Sequence, residues 1–381
     1  MAEVTLASDS ERQIWSAKYL SEYVRMSGFA PYMTREETAI IRIRGELQNE
    51  RGKIINFPLI TRLKGSGVTG SQVLDGAEED LGNYSAQVVV DWLRNGVRVP
   101  KSTSYLSEID LWGAAKANLR QWSAETLRDN IIQSLGQIVI PGANSGVHDT
   151  YVNYASATAG QRNTYSTNNK DRILFGAATS NWSGTFATGL ANVDSTNDKL
   201  STSIGSLAKR MAQLAGGYGV GANLVGTGVH IRPYQDPRFD REYYVMFCEP
   251  YSFRDLKADT AMINANRDAR AREGSSMDKN PLFQDGDLLY DGVIYRQVPE
   301  LAALRIIGAG ASSIDVGQNF LCGQSAVAVA WGQQPTPRTD LLKDFQFRPG
   351  VAIEELRGQN KVSFNGVQYG MVSVFTSSVS D

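Results

Sequence analysis

KIINFPLITRLKGSGVTGSQVLDGAEEDLGNYSAQVVVDWLRNGVRV, residues 53–99, is the stretch on which the fold turns. Ile55, Phe57, Leu59 and Leu63 recur at period two, which predicts a strand over 53–63. Pro58 lacks an N–H donor, so that strand should lie on an edge or be poorly paired on one side. Tyr84, Ala86, Val88, Val90 and Trp92 alternate in the same way and predict a second strand over 84–99. Residues 64–83 between them are glycine-rich, then acidic at Glu78, Glu79 and Asp80. Two strands joined by so long a weakly patterned segment make an extended hairpin, and connections of that length in compact proteins are functional or disordered.

Working outward, residues 1–50 are polar and broken by Gly28, Pro31 and Gly45, with one short apolar stripe at Ile14, Trp15, Tyr19, Tyr23 and Met26. They read as an arm without a core of its own, packed on another surface, a neighbouring subunit among the candidates. Downstream, Trp112, Ala115, Leu119, Trp122, Thr126, Ile131 and Leu135 recur near helical spacing and predict one helix over 106–135. Ser107 and Asp110 suggest a capped start and Gly136 a stop. Such a helix would span about 45 Å. Residues 141–200 are rich in Gly, Ser, Thr, Asn and Ala and show poor periodicity, which reads as a surface insertion or a small irregular subdomain. A helix over 201–215 follows, then strands at 229–234 and 241–250, a helix over 252–273, strands at 285–298 and 318–331, and a C-terminal strand pair at 361–376. Strands and helices in that order give an α+β class, without the regular alternation of a doubly wound sheet.

The chain has 381 residues, 42% hydrophobic and 20% charged, which suits two or three packed units. A net charge of -2 argues against a strongly basic surface that grips nucleic acid, though not against a subunit that encloses it. Cys248 and Cys322 sit in apolar runs and read as buried thiols, so no disulfide framework is expected. The first fifteen residues lack the pattern of a signal peptide. No stretch approaches the length of a membrane span.

Little in the sequence carries chemistry. Gly65, Gly67 and Gly70 form a literal G-x-G-x-x-G, which in a dinucleotide site must open a helix and receive a pyrophosphate. SQVLDGAEEDLGN follows instead, without a helical stripe and with acids that would repel phosphate, so the motif reads as a flexible hairpin tip. His148 and His230 are the two histidines and fit no zinc spacing or nucleophile elbow. No catalytic residue, cofactor or metal is expected. Arg267, Arg270 and Arg272 form the densest basic cluster, interleaved with Asp268 and Glu273, and read first as a solvated face.

Several stretches together resemble the major capsid proteins of tailed double-stranded DNA bacteriophages that share the Hong Kong phage shell fold. FPLITRLKGSGVTGSQVLDGAEEDLGNYSAQVVVDWLRNGV looks like that family's extended-loop hairpin, and LWGAAKANLRQWSAETLRDNII like its spine helix. REYYVMFCEPYSFRDLKAD and NPLFQDGDLLYDGVIYRQVPEL, followed by FLCGQSAVAVAWG, complete the order. The resemblance implies an arm at 1–50, the extended loop at 51–100 and the spine helix of a peripheral domain at 101–140. It further implies an insertion at 141–200, a peripheral-domain helix at 201–217, an axial domain at 218–342 and C-terminal strands at 343–381. It also implies hexamers and pentamers in an icosahedral shell around double-stranded DNA, assembled in a bacterial cytoplasm. The partners it implies are a separate scaffolding protein, a portal and decoration or cement proteins, with no membrane and no sequence-specific DNA contact. Lys64 lies near the loop tip, but nothing identifies a partner for covalent cross-linking. The residues assigned to assembly are Gly65, Gly67, Gly70, Glu78, Glu79, Asp80, Trp112 and Trp122. A nanocompartment shell protein of the same fold and a nucleotide-binding enzyme are the competing readings.

Overall fold

The computed structural model describes residues 29–379 except 49–51, 61, 62, 64, 66, 77, 80–82, 107–110, 143–147, 218–227, 237–240, 270–286 and 342. The apolar stripe at residues 14–26, Lys64, Asp80, Arg270 and Arg272 therefore lie outside the described residues, as does the side chain of Arg267.

In chain order the strands are β1 (Met33–Thr34), β2 (Ile41–Arg44), β3 (Ile54–Ile60), β4 (Asn83–Val89), β5 (Asp91–Arg98), β6 (Ile138–Ile140), β7 (Thr150–Val152), β8 (Ile173–Phe175) and β9 (Tyr234–Asp236). They continue as β10 (Arg241–Cys248), β11 (Leu288–Tyr290), β12 (Val293–Gln297), β13 (Val316–Cys322), β14 (Val327–Asp340), β15 (Gly350–Lys361), β16 (Ser363–Phe364), β17 (Val367–Gln368) and β18 (Met371–Ser377). The α-helices are α1 (Lys101–Leu106), α2 (Leu111–Gly136), α3 (Ala159–Asn168), α4 (Phe186–Ala191), α5 (Thr202–Leu214), α6 (Pro250–Ala258) and α7 (Thr260–Ala269).

Two sheets carry the body. One runs β1-β2-β14-β15-β5, and the other runs β11-β12-β10-β13-β18-β8 with β9 on β10. The second is covered on both faces. On β10, Val245 and Phe247 enter the core beneath α2, while Tyr244, Met246 and Cys248 enter the core shared with α5, α6 and α7. Burial on both faces explains why REYYVMFC is nearly continuous in apolar residues rather than half polar. The α+β architecture is the one expected.

The long helix is present: α2 has 26 residues, about 39 Å, and α1 precedes it, with residues 107–110 outside the described residues. The proposed cap at Ser107 and Asp110 falls outside the described residues. α2 packs Ala115, Leu119, Leu127, Ile131 and Leu135 against the five-stranded sheet. The described part of the arm packs there too. Phe29, Tyr32, Ile40 and Ile41 are buried in this same core, and β2 pairs in parallel with β14. Residues 29–44 therefore pack on their own subunit.

Several long strands predicted from apolar runs break where the chain changes sheet. The 84–99 run splits at Val90 into β4, which pairs with β3, and β5, which pairs with β15. Residues 318–331 split between β13 in one sheet and β14 in the other. The described part of 285–298 folds back on itself at Asp291 and Gly292, both at positive φ, into the hairpin β11–β12. The helix expected over 252–273 breaks at Asp259, whose carboxylate accepts hydrogen bonds from Thr202 and Ala261. The strand expected at 229–234 forms later, at β9, because Pro233 offers no donor. The C-terminal pair is a small β16–β17 turn followed by β18, every residue of which is buried.

Residues 141–200 contain β7, β8, α3 and α4, and Phe175, Phe186 and Leu190 form a core together with Phe375 of β18 and Val316 of β13. β8 adds to β18 in parallel, and side chains such as Asp149, Tyr165 and Arg172 hydrogen-bond residues 363–369 of the body.

One polar contact fastens the long helix to the sheet. The Arg357 and Glu355 side chains on β15 form a buried ion pair at 3.0 Å, and Ser123 Oγ of α2 donates to Glu355 at 3.4 Å. Burial raises the Glu355 carboxyl and the Arg357 charge opposes that rise. Removing one member strands the other in an apolar layer. Arg357→Ala is expected to cost about 3–5 kcal/mol, and the double change Glu355→Leu, Arg357→Met to recover most of it. Urea unfolding of unassembled subunits checks both.

Candidate functional site

The β3–β4 hairpin leaves the body from a small apolar root. Ile55, Phe57, Ala86, Val88 and Val90 pack on Ala328 and Ala330 of β14 and on Val362. The period-two pattern placed Ile55, Phe57, Ala86, Val88 and Val90 correctly, but the alternation is buried only near this root. Further out, Tyr84 is exposed, as are Ile60, Leu63, Val73 and Leu74. Ile54 and Val89 are exposed on the opposite face of the ribbon. Among the described residues, neither outer edge of this pair meets a third strand. Pro58 accordingly stands in a strand with one partner, as its missing donor requires. An isolated two-stranded ribbon is marginal in water. This one therefore presents apolar side chains that its own subunit does not cover, and backbone edges that no third strand pairs among the described residues.

The glycines of the tip do not make a phosphate cradle. Gly67, Gly70 and Gly76 have positive φ, and a Cβ added at any of them would meet nothing within 4 Å. The Gly65 N–H, the group a phosphate would need, already donates to Glu79 Oε2 at 2.5 Å. Gly76 N–H donates to Glu78 Oε2 at 2.7 Å. Two of the acids singled out in sequence thus organise the tip backbone by filling its donors with carboxylate. Trp112 and Trp122 sit elsewhere, half-buried on α2 against the main core. The structure joins Gly65 with Glu79 and leaves the tryptophans apart from the loop.

Among the described residues, no group of three or more His, Cys, Asp or Glu side chains is placed to hold a metal. His148 Nδ1 lies 3.4 Å from the Ser85 carbonyl and props the hairpin from the side. Cys248 and Cys322 are free and buried, and burial drives both thiols up, which makes them poor nucleophiles. The groove between the end of α2 and residues 299–305 has charged walls, but Arg128 and Glu300 across it pair with each other at 2.9 Å.

Two features escaped the sequence reading. At the far end of the β14–β15 hairpin, Asp344, Phe345 and Gln346 all have positive φ, and Phe345 is fully exposed. Exposed Leu341 and Phe347 flank it in sequence, and Val97 and Tyr105 are exposed on the adjoining segment, where Lys101 N–H bonds the Phe347 carbonyl. No periodic signal marks such a turn. The second is Lys361, buried at the end of β15 with Nζ 3.3 Å from Gln368 Oε1 and 3.5 Å from the Tyr165 hydroxyl. Its signal was a lysine inside an otherwise buried strand end.

Burial lowers the Lys361 ammonium to about 7, with Cys322 opposing the shift. The unfolded chain binds this proton more tightly, near pH 10. The lysine's contribution to stability therefore rises with pH from about 7 to about 10 and is lowest, and flat, below that window. Lys361→Met is expected to raise the melting temperature most at pH 6, with the gain over the parent shrinking as pH climbs to 9. Thermal melts across that range check it. A second check concerns the glycine motif: calorimetric titration with ATP or NAD is expected to show no binding.

A family model described as phage capsid protein matches residues 3–379. The major capsid protein of Pseudomonas phage KPP25 is 21% identical over 387 residues, covering 97% of this chain and 96% of its own. Among solved structures, the capsid asymmetric unit of cyanophage Pam1 is similar at 40% identity and TM-score 0.81, covering 100% of both chains. The capsid of Ralstonia phage GP4 is similar in fold at 21% identity and TM-score 0.70, covering 93% of this chain and 92% of that one.

Proposed function

The chain belongs to the phage capsid protein family, and from that premise we propose that it is a major capsid protein whose copies assemble into the icosahedral shell enclosing the double-stranded DNA of a tailed bacteriophage. The observation that carries this reading is the full-length match to the cyanophage Pam1 capsid subunit at 40% identity. The protein works through surfaces rather than through bond chemistry. In support, the Gly65 N–H of the glycine motif already donates to Glu79, and Gly76 N–H to Glu78, which leaves acid rather than phosphate at these donors.

Within the subunit, the hairpin at 51–100 serves as the extended loop laid over a neighbouring copy. Residues 101–140 and 201–217 are the helices of a peripheral domain, 218–342 form an axial domain, and 343–381 supply strands to both. The pairing of β8 with β18 supports reading 141–200 as a built-in subdomain rather than a loose surface insertion. Gly65, Gly67, Gly70, Glu78, Glu79 and Asp80 shape the loop tip for its contact. Trp112 and Trp122 brace the helix that takes the load. Hexamers and pentamers form with a separate scaffolding protein, and a portal and decoration proteins complete the head in the host cytoplasm.

The hairpin gives the direct test. Replacing residues 66–82 by a short glycine-serine linker is expected to leave a folded subunit, because the buried root is untouched. The same variant should lose closed shells in sedimentation and negative-stain microscopy. Shells of normal yield and heat resistance would contradict the assignment.

A further inference from the structure

The hairpin joins the body through few covalent links, so its direction must be set by contacts at the root. At Val90 the chain passes from β4 to β5 in one residue, and the Val90 N–H is bonded to the Lys53 carbonyl. Beneath this crossing Gly358 of β15 admits the Val89 carbonyl, with which any added Cβ would collide. Above it stands Arg44, the last residue of β2, held by pairing with Ala330 of β14. Arg44 Nη1 donates to the Asn56 carbonyl of β3 at 2.8 Å, and its guanidinium lies 5.1 Å from the centre of the Phe57 ring. Glu46 Oε1 lies 3.5 Å from Nε of the same guanidinium. The carbonyl that Arg44 takes belongs to a strand whose outer edge meets no other strand among the described residues.

We infer that Arg44 is a positioning residue for shell assembly, which fixes the angle at which the β3–β4 hairpin leaves the subunit. This rests on the proposal that the hairpin contacts a neighbouring copy. The leverage is large. From Phe57 to Gly70 the chain can reach about 40 Å at full extension, so a root rotation of about 10° moves the tip by about 7 Å. A displacement of that size breaks every hydrogen bond and side-chain contact a tip could make. The energetics at the root are small by contrast. A partly exposed guanidinium on a carbonyl and a ring contributes little to the subunit's own stability. The stability of the fold and the aim of the hairpin are therefore separable at this residue. Lysine in its place keeps a donor for the Asn56 carbonyl but loses the planar face over Phe57.

The test uses full-length chains under the conditions in which the parent assembles. Arg44→Ala is expected to melt within about 3 °C of the parent as an unassembled subunit. Its yield of closed shells of parental size is expected to fall at least about tenfold, a loss of about 1.4 kcal/mol at the contact. Arg44→Lys is expected to fall between the two. Hydrogen exchange in residues 54–60 should quicken in Arg44→Ala while exchange in α2 stays unchanged. Phe57→Leu, which keeps the apolar root but removes the ring, should lower shell yield in the same direction. Parental shell yield and size from Arg44→Ala would overturn the inference. So would a melting temperature lowered by more than about 10 °C, since Arg44 would then be holding the fold itself. The loop replacement separates this from the parent proposal. If that variant assembles normally, the hairpin reading falls; if it fails while Arg44→Ala assembles as the parent does, only the role of Arg44 falls.

Discussion

A two-stranded ribbon cannot bury both of its faces and both of its edges, and the rest of this subunit is arranged around that constraint. The β3–β4 root puts one face of its inner half against β14 and Val362 and leaves Ile60, Leu63, Val73 and Leu74 in the open. In a free monomer such a ribbon would be an aggregation hazard. On the proposed reading it is a surface kept for another copy. A homomeric lattice then gathers its stability from many modest contacts related by symmetry, none of which the single chain can form alone.

The rest of the molecule reads as a stiff mount for that ribbon. α2 lies across the five-stranded sheet, pinned by the buried Glu355–Arg357 pair and Ser123. The second sheet is sealed on both faces, so it contributes rigidity and little open surface. Lys361 is an exception to the apolar filling. Its buried amine leans on Gln368 and Tyr165, and its preference for the neutral form gives the end of β15 a dependence on pH that a methionine would lack.

Much of this was legible in the sequence because periodicity reports local geometry. Ile55, Phe57, Ala86 and Val88 alternate because they do line one buried face, and the α2 stripe from Ala115 to Leu135 is helical because it meets a sheet. The errors came where one apolar run serves two sheets. Period two continues through Val90 to Trp92, yet Val90 is buried and Trp92 is exposed, since the strand has crossed to a different partner. The same ambiguity fused β13 with β14. The left-handed turn at Asp344, Phe345 and Gln346 had no legible cue, because none of its residues is glycine. Arg44 was hidden for another reason. In IRIR it looks like the polar half of an alternating strand, and only the fold brings Asn56 and Phe57 beneath it.

The single-residue crossing at Val90 also determines how the subunit would carry force. A pull on the ribbon passes straight into β5, whose ladder with β15 runs from Asp91–Arg357 to Arg98–Gly350. Tension along β5 loads those hydrogen bonds in shear, so that they resist together instead of opening one after another as in peeling. β15 lies under α2 and continues by its ladder into β14, which spreads the load over the width of the sheet. The ribbon is thus less a flexible appendage than the free end of a tie-bar anchored along its whole length.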